Sequence, residues 1–288
     1  MFDPYQDTLN SPFIIAEIGI NHNGNLNLAK KLIDLACEAG CQAVKFQKRD
    51  IHVVYTEEYL KSSRQSPWGT TQLDQKSGLE FDEEQYNCID DYCKSKNILW
   101  CASAWDINSQ IFLRKYDCSF NKVASAMLTH QSLLEEIASE GKHTFISTGM
   151  SDFKTIDDCI EIFNDCNCPF TLLHCVSTYP CKDEDCNINL IKTLNDRYKC
   201  PVGYSGHESG ILPSILAVSV GARAIERHIT LDKTMYGSDQ SASIEFDDLC
   251  RLVSESRNVV NIMGTGQKQF LNHEIEVAEK LRYFEVQS

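Results

Sequence analysis

Eight short apolar segments alternate with helical patterns along this chain of 288 residues. The strand-like segments span residues 13–18, 43–47, 98–102, 120–124, 143–147, 170–175, 202–205 and 223–228. The helical patterns span residues 26–39, 82–96, 107–116, 131–140, 154–165, 188–197, 211–220 and 245–262. Strands that alternate with helices build parallel sheets, and eight such units close into a barrel of about 250 residues. The sequence therefore predicts a (β/α)8 TIM barrel.

The same pattern predicts a single domain over residues 1–288. We expect a barrel core over about 12–265 and a C-terminal extension over about 266–288. The longest insertion, at about 48–81, follows the second strand. Because long loops at the catalytic end of a barrel usually bind ligands or cover the site, we expect this insertion to be a lid or a binding loop.

An excess of acidic residues limits the classes of partner. The chain has 27 Lys and Arg against 41 Asp and Glu, a formal net charge of −14. This charge argues against binding to nucleic acid or to anionic membranes, which calls for a basic face. No secretory signal opens the chain, and no apolar run approaches the roughly 18 residues of a membrane span. We therefore expect a cytoplasmic protein whose fourteen cysteines are reduced thiols.

Two histidines follow neighbouring predicted strands. The last strand ends in Glu226, Arg227 and His228, and His207 follows the strand before it. Because the carboxyl ends of barrel strands meet at one face, these imidazoles can share one divalent metal ion with open coordination positions. Taken singly, each histidine would more often be a hydrogen-bonded structural residue. His22 and His174 are weaker candidates for metal ligands, and a buried hydrogen-bonded role is the alternative for His174.

Polar residues end the other strands as well. They are Glu17, Lys45, Gln47, Ser103, Lys122, Ser125, Ser147, Ser177, Tyr179 and Ser205. A lysine that points into a barrel must find an anion or lose its charge, so Lys122 and the nearby serines suggest an oxyanion site. Local serine caps and a lysine that reaches out to solvent are the alternative. Glu17 either positions a reacting group or forms a structural ion pair with Lys45.

The ordered motifs resemble those of the sialic acid synthase family, over residues from about 12 to 285. The matching segments are 16–24 (AEIGINHNG), 44–47 (VKFQ), 146–150 (ISTGM), 172–175 (LLHC), 179–180 (YP), 205–207 (SGH), 226–228 (ERH) and 237–239 (GSD). The resemblance implies an enzyme that condenses phosphoenolpyruvate with N-acetylmannosamine or a similar 2-acetamido sugar. It also implies C–O cleavage and release of phosphate.

The resemblance also implies roles for individual residues. His207 and His228 would hold a divalent metal, typically Mn²⁺, with Mg²⁺ or Co²⁺ as alternatives. The phosphate of phosphoenolpyruvate would contact Lys122, Ser125, Ser147, Ser177 and Ser205, with Lys45 and Ser103 near its phosphate or carboxylate. Gln47, Tyr179 and Asp239 would face the sugar, and Glu17 would lie beside the reacting groups.

The chain departs from the family pattern in ways that matter for function. Met127 stands where many members have glutamate, so a proton-transfer role at that position is not carried over. We expect no C-terminal antifreeze-like domain, the domain that supplies an arginine to the sugar's N-acyl group and joins subunits in the family. Arg49, Arg64 and Trp68 of the 48–81 insertion are available for that recognition instead. A homodimer is expected, and a separate chain is an alternative source of the missing domain.

Two other functions fit parts of the pattern. A metal-independent aldolase would form a Schiff base on Lys122 or Lys45 and would be trapped by borohydride with a keto acid. A non-catalytic barrel would bind sugar or phosphosugar without turnover, with Met127 and the absent domain as marks of lost activity. The histidine pair together with the lysine and serine cluster favours the metal-dependent synthase.

Overall fold

The structure is a computed structural model that describes residues 2–6, 11–282 and 284. Its strands are β1 (Phe13–Gly19), β2 (Ala43–Lys48), β3 (Ser63–Ser66), β4 (Gly69–Thr71), β5 (Leu99–Ala104), β6 (Asn121–Val123), β7 (Thr144–Ser147), β8 (Phe170–Cys175), β9 (Val202–Gly206) and β10 (Ala224–His228). Its α-helices are α1 (Leu26–Ala39), α2 (Ile51–Val54), α3 (Glu57–Lys61), α4 (Gln72–Leu79), α5 (Glu83–Lys96), α6 (Ile107–Arg114), α7 (Gln131–Ala138), α8 (Phe153–Asp165), α9 (Leu190–Tyr198), α10 (Leu212–Ser219), α11 (Phe246–Met263) and α12 (Ile275–Leu281).

Eight parallel strands close into a barrel in the order β1-β10-β9-β8-β7-β6-β5-β2. The predicted TIM barrel is therefore confirmed. The insertion predicted at about 48–81 is not a plain loop, because it contains α2, α3, the antiparallel β3–β4 pair and α4. These elements lie between β2 and β5, next to the carboxyl end of β2.

The barrel has an apolar lower interior and a polar upper end. Phe13, Phe120 and Phe145 fill the lower interior, with ring centroids 5.3–5.8 Å apart. A larger apolar core lies between the strands and the surrounding helices. Because both faces of each strand are covered, β1 is buried along its whole length, as parallel strands in α/β folds are.

Side-chain alternation in β10 separates the three ionisable residues that end the strand. Glu226 and His228 point into the barrel, where they line a cavity. Arg227 points to the other face, where its Nη1 lies 2.7 Å from Oε1 of Glu208. Both of these side chains are fully buried, and Arg227 also donates to the carbonyl oxygen of Gly210. Arg227 is thus a structural ion-pair residue and not part of the candidate site.

Replacing Arg227 with methionine should lower the free energy of unfolding by about 3–5 kcal/mol, because Glu208 is left as an unpaired buried charge. Urea denaturation followed by circular dichroism at pH 7.5 measures the change. The matched control is Arg223→Met, since Arg223 is partly exposed and only stacks 4.9 Å above the ring of Tyr5. That variant should cost less than about 1 kcal/mol. Equal losses in the two variants would contradict the assignment.

Three further features concern predictions made from the sequence: the state of the cysteines, the C-terminal extension and the character of the helices. All fourteen cysteines are free thiols, and most of them are wholly or partly buried. The C-terminal extension contains α12, whose side chains are largely exposed, and residues 285–288 lie outside the described part of the chain. None of the described helices combines the length and apolar character needed to cross a bilayer.

Candidate functional site

A cavity of about 200 Å³ lies at the carboxyl ends of the barrel strands. Twelve of the predicted site residues line it: Glu17, Lys45, Gln47, Ser103, Lys122, Ser125, Ser147, Ser177, Tyr179, Ser205, His207 and His228. The remaining one, Asp239, lies beside it, with Oδ2 3.8 Å from Nδ1 of His228. Residues that are up to 211 positions apart therefore meet in one place because the barrel closes between β1 and β10.

Glu17, Lys45 and Gln47 form one side of the cavity. Oε2 of Glu17 lies 2.7 Å from Nζ of Lys45, and its Oε1 accepts a hydrogen bond of 3.0 Å from Nε2 of Gln47. Burial raises the pKa of Glu17 to about 7, against the attraction of Lys45, and the nearby charge of Glu226 adds to the rise. The ion pair considered from the sequence is present, yet the carboxyl remains able to exchange a proton near neutral pH.

Gly19 allows this corner to form. Its φ of +54° lies in the left-handed region, which a glycine adopts at little cost. A Cβ atom here would come within 2.9 Å of Oε1 of Glu17 and 3.1 Å of Nε2 of Gln47. The glycine two positions after Glu17 therefore makes room for the carboxylate and for the amide that binds it.

Lys122 lies at the centre of the opposite side. Its Nζ donates to Oγ of Ser147 at 2.8 Å and lies 3.7 Å from Oε1 of Glu226. Burial lowers the pKa of Lys122, and the charge of Lys45 adds to this effect while Glu226 opposes it. Ser103 pairs with Lys122 across β5 and β6, and its buried Oγ has no hydrogen-bond partner within the described part of the chain. The corner therefore offers a cation and a free hydroxyl to an oxyanion.

Ser125, Gly149 and Ser177 form a tight cradle above Lys122. The backbone N–H of Gly149 donates to Oγ of Ser125 at 3.1 Å. A Cβ atom on Gly149 would lie 2.2 Å from Oγ of Ser177 and 2.8 Å from Oγ of Ser125. Both hydroxyl groups can lie this close to Gly149 only because position 149 has no side chain, and both serines line the cavity.

His207 and His228 lie side by side on β9 and β10, with ring centroids 5.3 Å apart. Nδ1 of His207 donates to the carbonyl oxygen of Val176 at 2.9 Å, which leaves Nε2 as the acceptor nitrogen of the neutral ring. Burial lowers the pKa of His228 to about 3, so this imidazole is neutral at physiological pH. Its buried Nδ1 has no hydrogen-bond partner among the residues that the structure describes.

These donors fit a divalent cation in an open site. The ligands would be two imidazoles, and Oε2 of the neighbouring Glu226 is buried and has no hydrogen-bond partner in the described residues. Over residues 2–6, 11–282 and 284, no three His, Cys, Asp or Glu side chains converge as a metal group. A cation here would therefore complete its coordination with substrate or water oxygens, as open catalytic sites do.

The two weaker histidine candidates have structural roles. Nδ1 of His22 accepts a hydrogen bond of 3.1 Å from the backbone of Gly24, and its ring stacks on Phe81 at 4.0 Å. Nε2 of His174 donates to the carbonyl oxygen of Cys186 at 2.7 Å. Both rings are buried away from the cavity. The buried, hydrogen-bonded interpretation of His174 fits this position.

Six lining residues were absent from the predicted site: Trp105, Ala124, Ala126, Met150, Cys175 and Glu226. Glu226 accepts a hydrogen bond of 3.1 Å from Ser205 and faces Lys122. A signal for Glu226 is present in the sequence, since it stands two positions before His228 and residues at that spacing share one face of a strand. Cys175 is likewise the last residue of β8.

Met127 packs against the core around the barrel, whereas Ser125 and Ala126 of the same turn line the cavity. Many family members have glutamate at position 127. In this chain Met127 does not line the cavity, so its apolar side chain is not part of the cavity wall. Glu17 and Glu226 are the two carboxylates that line the cavity in the described part of the chain.

The closed barrel and its cavity define a TIM-barrel protein with a corner of lysine and serine side chains and a pair of histidines at the carboxyl ends of its strands. Residues 32–268 match the NeuB family, and the chain belongs to this family. It is 40% identical over 273 residues to N-acetylneuraminate-9-phosphate synthase of Homo sapiens, covering 93% of this chain and 76% of that protein. The predicted membership of the sialic acid synthase family is thereby confirmed.

Two further relatives extend the comparison. The chain is 36% identical over 280 residues to N,N'-diacetyllegionaminic acid synthase of Legionella pneumophila, covering 94% of this chain and 78% of that protein. The crystal structure of N-acetylneuraminic acid synthetase from Leptospira borgpetersenii superposes with a TM-score of 0.84 at 34% identity. That match covers 95% of this chain and 93% of the Leptospira chain, so the similarity extends over the whole barrel.

Proposed function

We propose that this protein is a phosphoenolpyruvate-dependent synthase that makes a sialic acid or a related nonulosonic acid. The acceptor is N-acetylmannosamine or a similar 2-acetamido sugar. The observation that carries this proposal is the convergence of the lysine and serine corner, two carboxylates and two histidines on one cavity. The named relatives, which are synthases of N-acetylneuraminate 9-phosphate and of diacetyllegionaminic acid, support the same reaction class.

The anionic donor occupies the corner around Lys122. Lys122, Ser147 and the free hydroxyl of Ser103 bind phosphate oxygens, and Ser125 and Ser177 close the cradle. C3 of phosphoenolpyruvate attacks the aldehyde carbon of the open-chain sugar, and water captures the cation at C2. The tetrahedral intermediate then expels phosphate by cleavage of its C2–O bond. The same donors orient phosphoenolpyruvate and stabilise the leaving phosphate.

Glu17 is the proposed proton-transfer group. Its pKa of about 7 places it between its charged and neutral forms at the pH of the cytoplasm. Gln47 and Lys45 hold the carboxyl at the cavity wall. Gln47, Tyr179 and Asp239 would face the acceptor. A divalent cation held by His207 and His228, Mn²⁺ first and Mg²⁺ or Co²⁺ as alternatives, would supply Lewis-acid polarisation of the aldehyde oxygen.

The test is phosphate release from phosphoenolpyruvate with Mn²⁺, across a panel of 2-acetamido sugars led by N-acetylmannosamine. Donor labelled with ¹⁸O at the bridging oxygen should give labelled phosphate, because the C2–O bond breaks. Chelator should stop the release, and borohydride with pyruvate should not inactivate the protein. Binding of phosphoenolpyruvate without turnover on any acceptor would favour the non-catalytic barrel. Inactivation by borohydride would favour the Schiff-base aldolase.

Replacing Gly149 with alanine should raise KM for phosphoenolpyruvate at least about tenfold, or ~1.4 kcal/mol. The new methyl group would collide with Oγ of Ser177 and Oγ of Ser125, so the cradle has to open. Steady-state kinetics and calorimetric titration with the donor measure the effect. The matched control is Gly210→Ala, because nothing lies within 4 Å of a Cβ atom at that position. Unchanged donor affinity in Gly149→Ala would rule out a phosphate site at the cradle.

The homodimer, the cytoplasmic location and the single domain without an antifreeze-like module stay predictions. Light scattering of the purified protein tests the dimer. Addition of an isolated antifreeze-like domain tests whether a separate chain completes the site, since it should then raise kcat/KM for the acceptor.

A further inference from the structure

Arg49 lies directly behind the acceptor side of the cavity. It follows β2, and its side chain is only 9% exposed. From the sequence we expected it to be available to the sugar. In the structure it lines a neighbouring cleft with Phe81 and Phe112 instead. Any effect of Arg49 on the reaction therefore passes through the residues that it contacts.

The guanidinium of Arg49 is fixed from two directions. Its Cζ lies 4.3 Å from the ring centroid of Trp105, whose side chain lines the cavity. Its Nη1 donates to Oε1 of Glu80 at 3.3 Å, and its backbone N–H donates to Oε2 of the same carboxylate at 3.2 Å. Stacking and a hydrogen bond to a carboxylate restrict the orientation of a planar guanidinium, and the hydrogen bond from the backbone of Arg49 fixes the same carboxylate.

The other end of the guanidinium reaches Gln47, because Nη2 of Arg49 donates to Oε1 of the Gln47 side chain. A guanidinium has only donors, so the amide group that faces it must present its oxygen. The amide nitrogen then points to Glu17, where Nε2 donates to Oε1 at 3.0 Å. An amide carries two N–H bonds, and the second one remains for a ligand in the cavity that Gln47 lines.

We propose that Arg49 is a positioning residue that holds the amide of Gln47 as a donor toward Glu17 and toward the bound acceptor. Without Arg49 the amide of Gln47 can rotate and turn its oxygen toward Glu17. The carboxylate of Glu17 then repels the amide oxygen and loses the hydrogen bond from Nε2 of Gln47. The part that concerns the acceptor rests on the proposed function. The orientation of the amide does not depend on it.

A double-mutant cycle tests whether Arg49 acts through Gln47. Arg49→Met should lower kcat/KM for the acceptor by about 10- to 100-fold, because a small misplacement of a positioning group has that effect. In the Gln47→Ala background the same substitution should add less than about twofold, since its target is gone. If the reductions in kcat/KM caused by the two single substitutions multiply in the double variant, the residues act independently and the proposal is overturned. A wild-type protein that turns over no acceptor would overturn the proposed function instead.

Two matched variants separate positioning from a merely structural role. Arg49→Lys keeps a charged donor and should recover part of the activity. Lys48→Met removes the neighbouring cation, which lies 3.4 Å from Oε2 of Glu80, and should leave kcat/KM within about twofold of the wild type. Equal losses of kcat/KM in Lys48→Met and Arg49→Met would mean that the loss of a positive charge near Glu80 causes the effect, and not a change in the orientation of the Gln47 amide.

A measurement that needs no turnover completes the test. The side-chain amide signals of Gln47 in a ¹⁵N-labelled protein are assigned from their loss in Gln47→Glu. In Arg49→Met these signals should move and exchange faster with solvent, while in Lys48→Met they should stay in place. Unchanged Gln47 amide signals in Arg49→Met would overturn the proposal, whatever the activity of the protein.

Discussion

Replacing Lys122 with methionine should lower kcat/KM for phosphoenolpyruvate by about 10²- to 10³-fold, the usual effect of removing one donor from a preorganised anion site. The side chain is buried at the centre of the corner, and it joins Ser147 and Glu226 to the space where the phosphate binds. Methionine has a similar volume, so the loss reflects the missing charge more than a packing defect. Steady-state kinetics with varied donor and calorimetric titration with phosphoenolpyruvate measure the effect.

Removal of the ammonium also changes the remaining charges. Lys122 is the strongest attraction that holds the pKa of the buried Glu226 below its usual value, against the opposing effect of burial. In Lys122→Met the pKa of Glu226 should therefore rise, and protonation of this carboxylate would offset part of the lost positive charge, so the missing ammonium itself accounts for the weaker anion binding. The matched control is Lys115→Met, because Lys115 is half exposed and pairs with Glu83 on the surface at 3.0 Å. A donor affinity in Lys122→Met within tenfold of that control would contradict the assignment.

Long periodic elements can be predicted from this sequence, and short ones cannot. β8 and α1 begin and end at the predicted residues, because six and fourteen residues carry a clear pattern. The insertion at about 48–81 was expected as a loop. Its helices α2 and α3 have only four and five residues, and the β3 strand reads Ser-Arg-Gln-Ser. Such segments contain too few periods of an amphipathic pattern to be recognised, and tertiary contacts decide their conformation.

The position of the candidate site can be predicted from the sequence, but the contacts that each side chain makes within the site cannot. Carboxyl ends of barrel strands share one face, so polar residues at those ends had to converge. Side chains alternate between the two faces of a strand, so a shift of one residue in the register reverses the face to which each side chain points. For this reason Glu226 points into the barrel and the adjacent Arg227 points away from it. The contact of Arg49 with Gln47 behind the cavity wall has no sequence pattern at all. It depends on the stacking of Arg49 on Trp105, a residue 56 positions away on another strand end.

Replacing His228 with alanine should abolish binding of Mn²⁺ and lower kcat by at least about 10³-fold, because Lewis-acid stabilisation is worth several kcal/mol. The ring of His228 lies 5.3 Å from that of His207, and its buried Nδ1 has no hydrogen-bond partner in the described residues. Alanine removes one of the two imidazoles that line the cavity. We expect one Mn²⁺ per wild-type chain and none in the variant, measured by electron paramagnetic resonance of the free ion.

The control for this prediction is another buried histidine, on β8, two strands away from β10. His174→Gln removes an imidazole that donates to the carbonyl oxygen of Cys186 and does not line the cavity. It should keep one bound Mn²⁺ per chain even where it lowers the melting temperature, since a lost buried hydrogen bond costs about 1 kcal/mol. His207→Ala should behave like His228→Ala, because both imidazoles would bind the same ion and the removal of either one takes a ligand from it. Retention of stoichiometric Mn²⁺ in either alanine variant would show that the histidine pair is not the metal site.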